Sequence, residues 1–586
     1  MRKKVCVFIS VVIALAMLLT GCNISDKGSA GSNNKGNTTT AGSETAAGNT
    51  SQSDSNLNAP GTLPVVKNKV TLSIMLPQVG TALGDVKENL QTKEIEEKTN
   101  IHIEWQEVPT DYLNQVSIIF ASGDMPDMVF SGAGGDVRMS KTLISQLGAQ
   151  GLIIPLNDLI ENHAFHFKKV MEELPELRKF MTNPDGNIYS LPSIDDGPHI
   201  QFQQKMWINT TWLKNLGLDM PKTTDEFYQV LVAFRDNDPN QNGKKDEIPL
   251  STVKSGSAVE LDGFLMNPFI LTPSGVNGYG KTWIDDQGKI VYSPIQPGYK
   301  EGLKYLHKLY AEGLIYKESF TQDMKTQQNL NESGDAPVIG AFPAMRPGYA
   351  NNLTASNRWH QYDSLLPLEG PSGQRITDNN LYLKYNPNFV VITSNCKYPE
   401  VAMQFIDYFY SEEGTVRSVL GREGIDYKYA EAGQKGFDGS QAKYVQIPVD
   451  TTLPENQNVS WGQAFPTYRP VSFYKSIVYP ENPYDPNVDP MVGRMTLFFR
   501  TSMALSEYAQ KPESVLPDMF FSADDISTMS RLKTSIESFV NESIVKFITG
   551  YSDIDAEWDN YLKQLKSLGI DEYLGILQNA YDAQFK

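Results

Sequence analysis

Residues 70–105 change their hydrophobic period twice, and this restricts the fold more than any other stretch of the chain. Apolar and polar residues alternate over 70–74, which is typical of a strand with one buried face. Helical spacing follows over 86–95, and alternation returns over 101–105. Strand, helix and strand at this spacing predict a βαβ unit within an α/β fold that contains a largely parallel sheet.

Later segments extend the α/β pattern. Thr223 and Glu226 fit a capping box, and an apolar stripe from Phe227 to Phe234 follows them on one helix face. Residues 128–130 and 389–392 read as short buried strands. Further helices are predicted at 111–120, after Pro399, at 526–549 and at 553–567. We expect Trp105, in strand alternation, and Trp212, on a helix, to lie in the core.

The segment from Asp238 to Glu247 has the spacing of a calcium loop. Counted from Asp238, oxygen-bearing side chains occupy positions 1, 3, 5 and 9, and Gly243 stands at position 6, where an EF-hand loop turns sharply. Pro249 replaces the bidentate glutamate expected at position 12, so we expect Glu247 to close the site instead. The predicted Ca²⁺ ligands are Asp238, Asn240, Asn242, Lys244 through its carbonyl, Asp246 and Glu247.

The alternative for this segment is a polar turn, because Asp, Asn, Gly and Pro also form turns. If calcium binds, we expect its role to be structural. The protein ligands all come from one short loop, which leaves no obvious open position directed at a substrate.

The N-terminal residues predict export. Three cationic residues precede the apolar run 5–19, which is short for a membrane span and is typical of a signal peptide. The sequence Leu19-Thr20-Gly21-Cys22 resembles a bacterial lipobox, which implies cleavage after residue 21 and lipidation (palmitate) of Cys22. We therefore expect a protein anchored at the outer face of the cytoplasmic membrane. The alternative is an ordinary signal peptide with an incidental cysteine.

Composition limits the remaining possibilities. Residues 22–62 are rich in Ser, Gly, Asn and Thr and are predicted to form a disordered tether. Only Cys396 would remain beyond Cys22, so the mature chain has no intramolecular disulfide. The net charge of −18 argues against binding to nucleic acid and against loose binding of anionic polymers.

Five segments resemble, in order, the bacterial extracellular solute-binding proteins that deliver oligosaccharides to ABC importers. The similarity is closest to the large lipoproteins of Gram-positive bacteria. The five segments are Ala121–Asp127 (ASGDMPD), Asp185–Pro192 (DGNIYSLP), Trp207–Leu213 (WINTTWL), Asp238–Pro249 and Gly421–Tyr427 (GREGIDY).

The resemblance implies a two-lobed periplasmic-binding-protein-like fold, type II-like, with a hinge and a central ligand cleft. Residues 63–192 and 371–430 are assigned to the first lobe, and 193–370 and 431–586 to the second. The chain is expected to cross between lobes near 189–193, 367–373 and 425–435. The implied partners are an oligosaccharide and ABC permease subunits, and a monomer is the expected state.

A sugar cleft needs aromatic platforms and planar polar side chains, because sugars present apolar C–H faces and hydroxyl edges. The predicted aromatic contacts are Tyr189, Trp207, Trp461, Phe465 and Tyr468. Trp461 is favoured because its Asn- and Gly-flanked loop offers little core to pack against. The predicted polar contacts are Asp127, Arg422, Glu423, Asp426 and Arg469.

Enzyme signatures are scarce in the sequence. It contains neither a G-x-S-x-G elbow nor an H-E-x-x-H zinc motif. Of its six histidines only His163 and His166 are close together, and no Cys or further His lies near them to complete a metal site. We expect a binding protein without catalytic residues. The alternatives are a surface polysaccharide hydrolase and a sugar or peptide receptor that is not coupled to transport.

Overall fold

The computed structural model describes residues 56–78, 84–132, 137–275, 278–353, 356–450, 453–461, 465–485 and 488–586. The predicted signal peptide, Cys22 and most of the predicted tether lie outside these residues. Within the described residues, no helix is both long enough and apolar enough to cross a membrane.

The strands are short and spread along the chain. They are β1 (Val70–Pro77), β2 (Ile101–Val108), β3 (Met128–Phe130), β4 (Leu191–Asp195), β5 (Met206–Asn209), β6 (Ile248–Leu250), β7 (Thr282–Ile284), β8 (Ile290–Tyr292), β9 (Ile339–Pro343), β10 (Tyr362–Ser364), β11 (Tyr385–Ile392), β12 (Tyr427–Tyr429), β13 (Tyr444–Gln446) and β14 (Tyr468–Arg469).

Helices separate most of these strands. They are α1 (Leu90–Thr99), α2 (Tyr112–Ser122), α3 (Lys141–Ala149), α4 (Asn157–His163), α5 (Phe165–Glu173), α6 (Glu176–Met181), α7 (Pro198–Gln201), α8 (Thr210–Leu216), α9 (Thr224–Asp236), α10 (Leu261–Phe264), α11 (Pro297–Ala311), α12 (Met324–Glu332), α13 (Pro399–Asp407), α14 (Glu412–Val419), α15 (Val471–Lys475), α16 (Pro490–Ser506), α17 (Ala523–Thr549), α18 (Ile554–Ser567) and α19 (Ile570–Phe585).

Two main sheets organise the described residues. The first has the order β14-β4-β11-β3-β1-β2, and the second has the order β10-β5-β9-β6. The predicted βαβ unit is confirmed, since β1 pairs in parallel with β2 across α1, and β1 also pairs in parallel with β3. The first sheet is nevertheless mixed, because β11 returns antiparallel between β3 and β4.

Local helix signals act as the sequence predicts. The Thr223 hydroxyl accepts a hydrogen bond from the Glu226 N–H at 3.1 Å, so the cap at the start of α9 is confirmed. The Glu226 carboxylate accepts from the N–H of Lys222 at 2.7 Å, one residue before the position that a standard capping box uses. Phe227 and Phe234 are fully buried beneath this helix.

Each sheet has its own hydrophobic core. Trp105 belongs to the core of the first sheet, and Trp212 to that of the second, where it meets Phe234 edge-on at 5.1 Å between ring centroids. Both tryptophans are therefore core residues, as predicted. Helices α17 to α19 pack their apolar faces into the core of the second sheet.

The chain passes between the sheets through long segments. It leaves β4 at Asp195 and enters β5 at Met206, then leaves β10 at Ser364 and enters β11 at Tyr385. It rejoins the first sheet at β14, in a region that the sequence assigned to the second lobe. The last passage therefore follows Arg469 and not residues 425–435, because β14 adds a further strand to the edge of the first sheet.

Candidate functional site

A cavity of about 520 Å³ is lined by residues of the first sheet, by the segments that join the two sheets and by loops that follow strands of the second sheet. This volume lies within the range of ordinary small-molecule sites. The first sheet and its edges contribute Ser193, Asp195, Asn386, Phe389, Phe465, Thr467 and Arg469. Gln203, Ser257, Met345 and Leu383 line the cavity from outside the first sheet, and Lys384 lines it from the residue before β11. We call this cavity the interlobe cleft.

Strand pairing places an ion pair in the cleft. Strands β14 and β4 run in parallel with Arg469 opposite Asp195, so the two side chains lie together. Arg469 Nη2 lies 3.0 Å from Asp195 Oδ2, and both side chains are largely buried. Asp195 Oδ1 accepts from the Tyr474 hydroxyl at 2.5 Å and from the Gly197 N–H at 3.1 Å. The carboxylate is thus fixed, and it holds the guanidinium in place.

Two polar atoms of cleft residues remain available. Arg469 Nε and Asn386 Oδ1 are buried and have no hydrogen-bond partner among the described residues. Leaving a buried donor or acceptor unpaired costs about 1–3 kcal/mol, so such atoms are normally satisfied by something. One donor on β14 and one acceptor on β11 match the bonding capacity of sugar hydroxyls, which both accept and donate.

The cleft also has an aromatic wall. Phe465 lines it, and Trp461 stacks behind Phe465 with ring centroids 3.5 Å apart and planes 23° apart. The Trp461 indole N–H donates to the Thr92 hydroxyl at 2.7 Å. Trp461 is fully buried in the core of the first sheet. The expectation that Trp461 finds little core to pack against is wrong, and its structural effect is to support Phe465.

The other predicted aromatic contacts lie away from the cleft. Trp207 is fully buried beside the second sheet, with its N–H bonded to the Ala344 carbonyl at 2.9 Å. Tyr189 packs in the core on the other face of the first sheet and bonds Asp185 at 2.7 Å. Tyr468 donates to Glu173 at 2.6 Å. Their aromatic surface is used in packing because each sits within or beside a strand that the core covers.

The predicted polar contacts divide into three groups. Arg469 lines the cleft. Asp127 accepts from the Ser73 N–H and hydroxyl, both at 2.7 Å, and so fixes two strand ends. Arg422 pairs with Asp426 at 2.7 Å, and Arg422 and Glu423 line a separate groove. Of the ten predicted contacts, Phe465 and Arg469 reach the interlobe cleft.

Sequence reasoning missed several cleft residues. Asp195 directly follows the predicted crossover segment, so its place at a strand end was a usable signal. Lys384 and Asn386 flank the start of β11, ahead of the predicted apolar strand. Arg138 carried no sequence signal, because tertiary packing alone brings it to the cleft. Burial lowers the pKa of Arg138, and the opposing effect of Asp518 is smaller.

The predicted calcium loop is held in a turn by its own side chains. Asp238 accepts hydrogen bonds from the N–H groups of Asn242 at 3.1 Å and Gly243 at 3.0 Å. Gly243 has a φ of 72°, which explains why glycine stands there. The amide groups of Asn240 and Asn242 both donate to Asp246. A half-turn of either amide would present oxygen in place of nitrogen.

Glu247 is the unusual member of the loop. Both of its carboxylate oxygens are buried and lack a hydrogen-bond partner among the described residues. Burial raises the pKa of Glu247, the nearby backbone N–H groups of Glu247 and Asp246 partly oppose this rise, and the charges of Asp246 and Asp238 add to it. A buried carboxylate without a hydrogen-bond partner, close to the carboxylates of Asp246 and Asp238, is the environment expected of a cation ligand. No group of three or more His, Cys, Asp or Glu in the described ranges is itself arranged as a metal site, so the amide and carbonyl oxygens would be needed.

Two α/β halves with a polar and aromatic cleft between them define the class of two-lobed ligand-binding proteins. The family model for bacterial extracellular solute-binding proteins matches residues 81–416, more than half of the chain. The chain belongs to this family, as the sequence motifs predicted.

Relatives of known function support this membership. The chain is 30% identical over 526 residues to the fructooligosaccharide ABC transporter substrate-binding protein FusA of Streptococcus pneumoniae, covering 88% of this chain and 91% of FusA. The structure of FusA with kestose matches with a TM-score of 0.67 at 27% identity, over 88% of this chain and 99% of that one. A FusA EF-hand mutant in complex with fructo-nystose matches with the same values.

Proposed function

We propose that this protein is a lipid-anchored receptor that captures an oligosaccharide in the interlobe cleft and delivers it to the permease of an ABC importer. The observation that carries the proposal is the pair of unsatisfied atoms, Arg469 Nε and Asn386 Oδ1, beside the Phe465 wall. The similarity to FusA, which is named for fructooligosaccharides, supports a sugar as the ligand.

The cleft residues suggest how a sugar is held. Arg469 Nε donates to a ring or hydroxyl oxygen, and Asn386 Oδ1 accepts from a hydroxyl. Asp195 keeps the guanidinium oriented, so little side-chain entropy is lost when the sugar binds. The edge of Phe465 contacts C–H groups of the sugar. Lys384 adds a contact from the start of β11, and closure of the two lobes then completes contacts to Gln203 and Ser257 from outside the first sheet.

Calcium has a structural part in this proposal. Asp238, Asn240, Asn242, the Lys244 carbonyl, Asp246 and Glu247 would hold the ion. The buried carboxylate of Glu247 supports this set of ligands. The loop connects α9 to β6, so the ion would tie a helix end to the second sheet and stabilise the fold without touching the sugar.

A thermal-shift screen tests the receptor proposal. Plant and microbial oligosaccharides are added to the purified protein in the presence of calcium. We expect one glycan series to raise the melting temperature, because a ligand that binds only the folded state adds about 2.7 kcal/mol at a hundredfold excess over its Kd. Failure of every sugar, alongside a shift with peptides, would contradict the proposal.

The anchor is tested separately by Cys22→Ala. Without a lipid acceptor, the exported protein is expected to move from the membrane pellet to the culture medium, measured by immunoblotting of cell fractions. Cys396→Ala is the matched control and is expected to leave the protein in the pellet. A Cys22→Ala protein that stays with membranes would contradict the lipobox.

A further inference from the structure

A second groove of about 840 Å³ shares no lining residue with the interlobe cleft. Its wall is formed by α1, by α14 and by the hairpin of β12 and β13. Glu412, Glu413, Val416 and Arg417 of α14 line this groove, while Ser418 and Val419 at the end of the same helix line the cleft. We call it the tyrosine groove.

Three tyrosines of the hairpin form an aromatic cluster in the groove. Tyr429 lies 5.8 Å from Tyr444 and 6.3 Å from Tyr427 between ring centroids. Tyr427 and Tyr444 are buried, whereas Tyr429 is 54% exposed and its neighbour in the groove, Ile425, is 49% exposed. The two buried rings thus support one exposed ring, which is the arrangement of a stacking platform.

The charged side chains around this platform balance. The cations are Lys98, Arg417, Arg422 and Lys443, and the carboxylates are Glu94, Glu412, Glu413 and Glu423. Arg417 Nε lies 2.6 Å from Glu94, and the Tyr444 hydroxyl donates to Glu412 at 2.9 Å. These contacts fix planar donors and acceptors without giving the groove a net charge, which favours an uncharged, hydroxyl-rich ligand over an ionic one.

Arg417 supplies an unused donor. Its Nη2 atom bonds the Val459 carbonyl at 2.9 Å, but Nη1 is buried without a partner among the described residues. The groove therefore combines an exposed aromatic face with fixed carboxylates, and Arg417, which lines it, keeps one buried guanidinium nitrogen unpaired. The volume of the groove also lies in the range of small-molecule sites. A contact surface for another protein can be flat and needs no such volume.

We propose that the tyrosine groove is a second binding site for a neutral oligosaccharide, with Tyr429 as its stacking platform. This rests on the proposed function only for the class of ligand. With two sites, one anchored receptor can hold a long or branched glycan in the groove. The interlobe cleft can then bind a chain end of the same glycan. Weak binding at the groove would then raise the effective concentration of glycan at the cleft.

Calorimetric titration of the full chain with neutral fructan, glucan, mannan and xylan oligosaccharides tests the proposal. We expect a tight and a weak site for one series, and Tyr429→Ala should weaken the second site at least tenfold while leaving the first unchanged. Tyr551→Ala is the matched control, because Tyr551 is 83% exposed and lies outside both sites. It should behave as the wild type.

The alternative outcomes separate this proposal from the receptor proposal. A single site in both the wild type and Tyr429→Ala overturns the tyrosine groove as a sugar site and leaves the cleft intact. No binding of any probe overturns both. If Tyr429→Ala reduces uptake by cells without changing the titration, the groove is a permease contact and the inference is wrong.

Discussion

Arg469→Ala is expected to weaken oligosaccharide binding by about 30-fold or more. The change removes the Nε donor aimed at the ligand, and it leaves Asp195 in the cleft wall without its ion partner. A hydrogen bond to a charged group contributes about 1.5–3 kcal/mol, and each 1.4 kcal/mol is a factor of ten in Kd. Titration calorimetry with the glycan found by thermal shift measures the loss.

Two further variants separate charge from geometry. Arg469→Lys keeps the cation but loses the planar fork, so we expect a loss smaller than that of alanine but clearly measurable. Arg500→Ala removes a comparable pair with Asp363 (2.7 Å) away from the cleft and should bind as the wild type does. A folded Arg469→Ala protein with unchanged affinity would show that the sugar does not bind where we place it.

The second large effect concerns calcium. Removal of calcium with EDTA is expected to lower the free energy of unfolding of the wild type by about 2.7–4.1 kcal/mol, the contribution of an ion at one hundred to one thousand times its Kd. Asp238→Ala should abolish this response, since it removes a ligand and the bonds to the N–H groups of Asn242 and Gly243. Calorimetric melting with and without EDTA measures both.

A similar turn provides the control for Asp238. Asp285 accepts hydrogen bonds from the N–H groups of Gln287 and Lys289 at 2.9 and 2.8 Å. The residues of this turn do not have the ligand spacing of a calcium-binding loop. Asp285→Ala should lose stability and keep its response to EDTA. Glu247→Gln should lose the response and yet melt no lower than the wild type in EDTA, because it removes a buried, repelled carboxylate. A wild type unaffected by EDTA would reduce the loop to a turn.

Local features of the fold were predictable because their causes are local. The cap at Thr223, the turn at Gly243 and the buried face of Trp212 each follow from a few neighbouring residues. The mixed order of the first sheet was harder to predict from the sequence, because β11, which lies between β3 and β4, comes from far along the chain. Nothing in the alternation of β1 and β2 indicates which distant strand completes their sheet.

The cleft was harder to predict for the same reason. Arg469 meets Asp195 only because β14 pairs with β4, and Phe465 reaches the wall only because Trp461 fills the space behind it. Trp461 stands in a segment with the composition of a surface loop, yet its side chain is buried in the core of the first sheet. Aromatic density therefore indicated a segment that reaches the cleft, but the favoured ring, Trp461, packs in the core behind Phe465, which was also predicted.

Native mass spectrometry tests most directly the central claim that this protein binds an oligosaccharide without cleaving it. The calcium-loaded protein is incubated with the oligosaccharide that gives the largest thermal shift. A receptor retains that sugar at its full mass after prolonged incubation at growth temperature, and Arg469→Ala retains far less of it. Shortened sugars in the complex or in the solution would contradict the receptor and identify a hydrolase.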